Sequence, residues 1–410
     1  MATPETSFPK DRIRVLLLES VHPSAQELFR QEGFQVEALA GALPEEALAQ
    51  KVRDVHLLGI RSRTQVSRRV LAESRRLLAL GAFCIGTNQV DLDAAAERGI
   101  PVFNAPFANT RSVAELVVAE VIALARRLAD RSREMHEGRW RKGVDSAREV
   151  RGKTLGIVGY GHIGRQVGVL AEALGMQVLF HDIAPRLPMG NNRPADSLEA
   201  VLARADFVTL HVPETPLTRG MIGEAELRRM KPGSFLLNLS RGSVVDLSAL
   251  AAALRRGHLA GAAADVFPEE PEGHADDFAT ELRGLPNVIL TPHIAGSTEE
   301  SQEAIGREVA ASLVKLVNTG ATTGSVNFPH VEPPPLRDRH RLLNVHRNVP
   351  GVLSRINRIV SDAEANIESQ VLATTPAIGY LVMDINREVS AEVRQQMAAL
   401  ETSIRTRVLY

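Results

Sequence analysis

RGKTLGIVGYGHIGRQVGVLAEALGMQVLFHD, residues 151–182, holds an apolar strand, a glycine-punctuated turn, an amphipathic helix, a second apolar strand and a terminal acid. The first strand, Thr154 to Val158, runs into Gly159, Gly161 and Gly164. At that spacing a tight turn lets backbone N–H groups approach a pyrophosphate and lets the helix pack closely on its sheet. The amides of Gly161, His162, Ile163 and Gly164 then face an anion at the positive end of the helix dipole. Asp182 closes the second strand, Gln177 to His181, about twenty residues after the glycines, where a carboxylate accepts hydrogen bonds from an adenosine ribose and repels a 2′-phosphate. In a chain with 30 glycines, three of them alone mark only a turn. The strand, helix, strand and acid around them make this a dinucleotide site, with NAD favoured over NADP.

Outward from this unit, 410 residues exceed one core, and about 150 residues per domain predicts two or three domains. Lys and Arg total 48 against 49 Asp and Glu, so no global field draws in nucleic acid or an acidic membrane. Small molecules and other subunits are the expected partners. The single Cys84 excludes an intrachain disulfide and sits in the apolar run FCIG, which fits a buried thiol in a reducing cytoplasm. The first residues, MATPETSFPKDR, lack the apolar core of a signal segment, and no run reaches the eighteen or so apolar residues of a membrane span.

Upstream of the glycine turn, strand and helix patterns alternate: a strand over 12–18, a helix from Pro23 to Glu32, strands at Gln35 to Ala38 and His56 to Ile60, then LLALGAF and Pro101 to Phe103. A small parallel sheet follows, whose ligand loops lie beyond the carboxyl ends of its strands at Arg61 to Thr64, Cys84 to Asp91 and Asn104 to Arg111. From Ser112 to about His136 apolar residues recur at helical spacing, predicting one long helix. Trp140 follows among basic residues and glycines, in an exposed loop suited to an interface. After Asp182 the Rossmann alternation continues to about Leu290, and a helix over 299–318 returns to the first domain. The prolines of VEPPPLRDRH mark a linker, and residues 341–410 read as βαββαβ, a ferredoxin-like module. The expected domains are 1–108 with 299–336 for substrate, 109–298 for the nucleotide, and 339–410.

Three ionisable groups follow strands of the nucleotide domain: Arg241 in NLSRGSVVD, a glutamate in DVFPEEP, and His293 in LTPHIAG. Oxidising a secondary alcohol with NAD requires a base for the hydroxyl proton and a cation for the substrate's carboxylate and C2 oxygen. Histidine and arginine supply both, and a carboxylate beside the imidazole orients it and raises its pKa. Spacing alone leaves Glu269 and Glu270 as equal candidates for that carboxylate. Nothing in the pattern asks for a metal.

Together GIVGYGHIG, Asp182, NLSRGSVVD, AADVFPEEP and LTPHIAGST resemble the D-2-hydroxyacid dehydrogenases over nearly the whole chain. With CIGTNQVDLDAAAERGIPVFNAPFANTRSVAEL and a C-terminal module similar to an ACT domain, the resemblance is to the shorter bacterial branch that oxidises 3-phosphoglycerate. It implies a Rossmann-type doubly wound nucleotide domain, a flavodoxin-like substrate domain and an ACT domain. It selects Arg241, Glu270 and His293 as catalytic. Cofactor contacts carried over with it are His162, Ile163, Asp182, Leu239, Ser240, Arg241, Asp265 and the run His293, Ile294, Ala295 and Gly296, beside the glycines already named. Arg61, Ser62, Arg63 and Asn109 would face the phosphate and carboxylate of the substrate. His346, Asn348 and Asn366 would bind L-serine as a feedback effector, and the chain would assemble as a homotetramer. The implied reaction yields 3-phosphohydroxypyruvate for serine synthesis, with 2-oxoglutarate as an alternate substrate. A reductase of hydroxypyruvate or other 2-oxoacids, or an NAD-sensing corepressor-like scaffold, would carry the same motifs.

Overall fold

The computed structural model describes residues 7–143, 146–271, 276–336 and 339–410. It divides into two compact units, one formed by residues up to Ala108 together with Gln302–Tyr410, the other by Asn109–Ser301.

The first unit opens with five parallel strands, β1 (Arg14–Leu17), β2 (Gln35–Ala38), β3 (Leu57–Ile60), β4 (Ala79–Ala82) and β5 (Val102–Phe103), in the order β2-β1-β3-β4-β5. Between them run helices α1 (Pro23–Gln31), α2 (Glu45–Lys51), α3 (Arg68–Glu73) and α4 (Leu92–Glu97). Every residue of β3 and β4 is buried, as expected of parallel strands covered on both faces.

In the second unit helices α5 (Thr110–Arg126) and α6 (Leu128–His136) precede a seven-stranded sheet. Its strands are β6 (Thr154–Val158), β7 (Gln177–His181), β8 (Arg193–Pro194), β9 (Phe207–Leu210), β10 (Ser234–Asn238), β11 (Leu259–Ala264) and β12 (Val288–Leu290). Helices α7 (His162–Ala173), α8 (Leu198–Arg204), α9 (Glu224–Arg229) and α10 (Leu247–Arg255) alternate with them. The order β12-β11-β10-β9-β6-β7-β8 reverses direction at β6, which places a switch point at the glycine turn. Separate apolar cores cover the two faces of the sheet, one built on α8 to α10 and the other on α5 and α7.

The single helix expected from Ser112 to His136 is two helices. Arg127 adopts a left-handed backbone, φ 54°. The bend is held by Asp130, whose carboxylate accepts from Arg127 Nη2 at 3.1 Å, Arg133 Nη2 at 3.0 Å and the Asn287 amide at 2.8 Å. An unbroken apolar period cannot reveal a turn made by partners 157 residues away.

The chain then returns to the first unit through α11 (Glu299–Thr319), whose Ile305, Val309, Ala310 and Leu313 share a core with Val15, Phe29 and Phe83. The final module is an antiparallel sheet of β13 (His340–Arg347), β14 (Ile367–Thr374), β15 (Ile378–Ile385) and β16 (Ser403–Leu409), ordered β14-β15-β13-β16, with α12 (Val352–Asp362) and α13 (Ser390–Ala398). Ahead of it, Phe328 and Val331 are packed in one cluster with Leu343, Val345 and Tyr380. Among the described residues no helix is long and apolar enough to cross a membrane.

Arg341 anchors this module. Its guanidinium is fully buried, pairs with both oxygens of Asp384 at 2.7 Å, and donates to the Thr319 and Pro334 carbonyls at 3.1 and 2.6 Å. Asp384→Ala strands that charge and should cost about 3–5 kcal/mol in urea unfolding, most of it recovered when Arg341→Met is added.

Candidate active site

Parallel strands deliver their carboxyl ends to one edge of a sheet, and there the second unit collects its chemistry. At the glycine turn, a Cβ on Gly159 would strike the His211 carbonyl, and one on Gly164 would strike the Gly159 carbonyl. Gly159 also has φ 90°. A Cβ on Gly161, by contrast, would meet none of the described atoms beyond its own chain neighbours within 4 Å. The turn is thus tight toward its own sheet and open toward the N-terminus of α7, which fits a pyrophosphate. His162 and Ile163 open that helix, as expected. Asp182 closes β7 with a carboxylate that accepts from the Tyr160 amide at 2.8 Å and the Ala184 amide at 2.9 Å.

The turn after β10 is knitted by Asn238, buried to 3 %, whose Oδ1 accepts from the Ser240 amide and hydroxyl while its Nδ2 donates to the Arg241 carbonyl. Gly242 lies so close to the Phe267 carbonyl that no side chain fits, so the SRG and DVFP turns touch. Beyond β12, His293 sits at φ 55°, a conformation costing a non-glycine residue about 1–3 kcal/mol that its surroundings must hold. Asp265 supplies that hold. It is fully buried, and its carboxylate accepts from Thr291 Oγ1 at 2.6 Å and the amides of Ile294 and Ala295 at 2.8 and 2.9 Å. Its own carbonyl accepts the His293 amide at 2.8 Å. Asp265, whose contact with the cofactor the resemblance implies, also shapes the histidine loop.

His293 Nδ1 lies 2.7 Å from Glu270 Oε2, and Glu270 Oε1 accepts the Phe267 amide at 2.9 Å. Of the two glutamates that spacing left equal, Glu270 makes the bond. That bond raises the imidazole pKa above its ordinary value, against a smaller lowering by burial. Burial alone would raise the Glu270 carboxyl, but the bonds from His293 and Phe267 carry it below its ordinary value. With Nδ1–H donated to the carboxylate, Nε2 is left to exchange a proton. His211, which follows β9, is pushed down to about 3 by burial of its ring, so it is neutral and takes no part in proton exchange.

Residues 118–295 match the D-isomer specific 2-hydroxyacid dehydrogenase NAD-binding domain, and residues 342–405 match an AHAS small subunit-like ACT domain. The chain is 55 % identical over 99 % of its length to the whole of a D-3-phosphoglycerate dehydrogenase from Dictyostelium discoideum, and 50 % identical over 99 % to the whole of one from Escherichia coli (strain K12). A D-lactate dehydrogenase from Aquifex aeolicus, solved with NAD and lactic acid, shares 29 % identity and a TM-score of 0.66 over 77 % of this chain and 99 % of its own. The chain belongs to the D-isomer specific 2-hydroxyacid dehydrogenases. It is an NAD-dependent oxidoreductase of that family, with an ACT-like module at its C-terminal end.

When bound, NAD takes up or returns the hydride; the chain's own residues manage the proton and the charge. An imidazole held in this way can accept a hydroxyl proton at Nε2 and return it, with a carboxylate such as that of Glu270 to stabilise the imidazolium between. Arg241, whose Nη1 donates to the Ser240 carbonyl at 2.7 Å, is a cation on the turn after β10.

The loop Arg61–Thr64 follows β3 in the first unit and reveals a residue that the motif reading missed. Glu19, 3 % exposed, accepts the backbone amides of Arg61 at 3.2 Å, Arg63 at 2.9 Å and Thr64 at 2.9 Å. Burial would raise its carboxyl, yet the Thr64 side chain and then these amides bring it below its ordinary value. Glu19 and Ser20 both have positive φ, 63° and 52°. An acid placed just after the apolar run RVLLL, at the carboxyl end of β1, was the available signal. Ser62 and Arg63 are exposed and Arg61 half-buried. Asn109 lies in the nucleotide-binding unit, where its side-chain amide packs on Gly296, because the chain has already crossed to cap α5.

The three expected effector contacts are not gathered in one chain. His346 is buried to 3 % with Nδ1 on Asn344 Oδ1 at 3.0 Å, and Asn348 Nδ2 donates to the Thr375 carbonyl. Asn366 stands before the other end of β14, roughly 30 Å from Thr375 along the strand at ~3.3 Å per residue.

Two measurements test the site. The rate of alcohol oxidation should rise with pH through the raised pKa of His293, because the base must be neutral, and reduction should fall through the same point. In Glu270→Gln both limbs should move to lower pH. Glu19→Gln replaces an acceptor of three amides by a group with one oxygen, and should raise substrate KM on the order of tenfold with kcat and cofactor KM changed far less, by steady-state kinetics.

Proposed function

We propose that this dehydrogenase oxidises 3-phospho-D-glycerate to 3-phosphohydroxypyruvate, the entry step of serine synthesis. The observation that carries the reaction type is the 2.7 Å bond between His293 Nδ1 and Glu270 beside Arg241. The substrate choice is supported by full-length similarity to enzymes named for it. It is supported too by Arg61 and Arg63 at a strand end, where two guanidinium groups suit a phosphate ester. The same reading makes the chain a cytoplasmic homo-oligomer, a tetramer by resemblance, with Trp140, 77 % exposed, as a subunit contact. L-Serine is its proposed effector at the ACT module. Since Asn348 and Asn366 stand at opposite ends of β14, such a site uses one end of the module or two copies of it.

Specificity constants decide the substrate. Phosphorylated over unphosphorylated hydroxy acid should be preferred by at least about 100-fold, and Arg61→Ala and Arg63→Ala should each erase on the order of tenfold of that preference. His293→Ala should retain NAD binding and lose roughly 10²–10⁴ in kcat. Equal rates on hydroxypyruvate and its phosphate point to a general 2-oxoacid reductase. The absence of NAD-linked turnover on any 2-hydroxy acid points to a scaffold. In the same assay L-serine should inhibit, and Asn348→Ala should weaken that inhibition.

A further inference from the structure

The end of β7 holds more than an acid. Asp182 is enclosed by three donors: the Tyr160 amide at 2.8 Å and Arg186 Nε at 3.4 Å on Oδ2, and the Ala184 amide at 2.9 Å on Oδ1. Its side chain is only 10 % exposed, whereas Arg186 is 39 % exposed. Both amides are fixed by the main chain, Tyr160 between two glycines of the turn and Ala184 two residues past the acid. Converging backbone N–H groups with a guanidinium make an anion nest, and this one is filled by the chain's own carboxylate.

Its position gives the nest a meaning. The acid that ends the second strand of a Rossmann unit lies where the adenosine ribose presents its 2′-oxygen. A phosphate on that oxygen would need the donors that Asp182 now occupies. Repulsion by the carboxylate is then one part of the discrimination, and occupancy of the nest is the other. Arg186 acts in the opposite sense, since its cation offsets the carboxylate and is the fork best suited to a phosphate.

We propose that Arg186, with the amides of Tyr160 and Ala184, forms a latent site for a ribose 2′-phosphate which Asp182 plugs with its own carboxylate, making Arg186 the second determinant of cofactor choice. The chain therefore excludes NADP by internal competition rather than by lacking phosphate ligands.

The test uses the full chain as parent, Arg186→Ala, Asp182→Ala and the double variant. Binding of 2′,5′-ADP and 5′-ADP is measured by titration calorimetry, and kcat/KM is measured with NAD and NADP. Asp182→Ala should shift the affinity ratio toward 2′,5′-ADP by on the order of 10- to 100-fold, the range of one or two charge-assisted hydrogen bonds. The double variant should lose most of that gain. In the parent background Arg186→Ala should move the ratio further toward 5′-ADP. A double variant that keeps the gain of Asp182→Ala overturns the proposal, as does a folded Asp182→Ala chain that shows no gain. Should Asp182→Ala fail to fold, Arg186→Ala alone decides, and an unchanged ratio overturns the proposal.

Discussion

A fully buried carboxylate is tolerated only when donors surround it, and Asp265 meets that condition with the loop that carries His293. The arrangement binds in both directions. The loop's amides stabilise the anion, and the anion holds a histidine in a left-handed backbone that it would not adopt alone. The rest of the site depends on this. With His293 so placed its Nδ1 meets Glu270, and the Phe267 amide that orients Glu270 belongs to the turn against which Gly242 packs.

The same device appears at two other strand-end loops. Asp182 gathers Tyr160 and Ala184 after β7, and Glu19 gathers Arg61, Arg63 and Thr64 beside β3. In each case a carboxylate at the end of a parallel strand substitutes for the hydrogen bonds that strand pairing no longer supplies. Loops built this way have defined shapes without adding secondary structure, which is what positioning charged substrate and cofactor groups requires. Each such acid also sets a local charge. The loop bearing Arg61 and Arg63 is cationic on its exposed side and anionic beneath.

Much of the fold was legible in the residues. The bounds of β6 and β7 coincide with the apolar runs read for them, since buried parallel strands announce themselves by composition. The break at Arg127 and the two-residue strand β8 were not legible, because neither has a local signal. Arg241 and His293 stood out at strand ends, bare spacing left Glu269 beside Glu270 until the resemblance chose Glu270, and Glu270 is the one whose Oε2 meets the imidazole.

What the sequence determined by itself is therefore the set of parts: two α/β patterns, a glycine turn with its acid, a βαββαβ tail and a histidine, arginine and carboxylate at strand ends. Periodicity and residue chemistry are local properties, so one chain read from end to end suffices to state them. Only the tertiary structure decided what the acids do. Glu19 carried no motif, and what Asp182 and Asp265 hold beyond theirs comes from amides brought to them by chain folding. A hydrogen bond needs an atom within about 3 Å, and that proximity exists only once the sheets have formed.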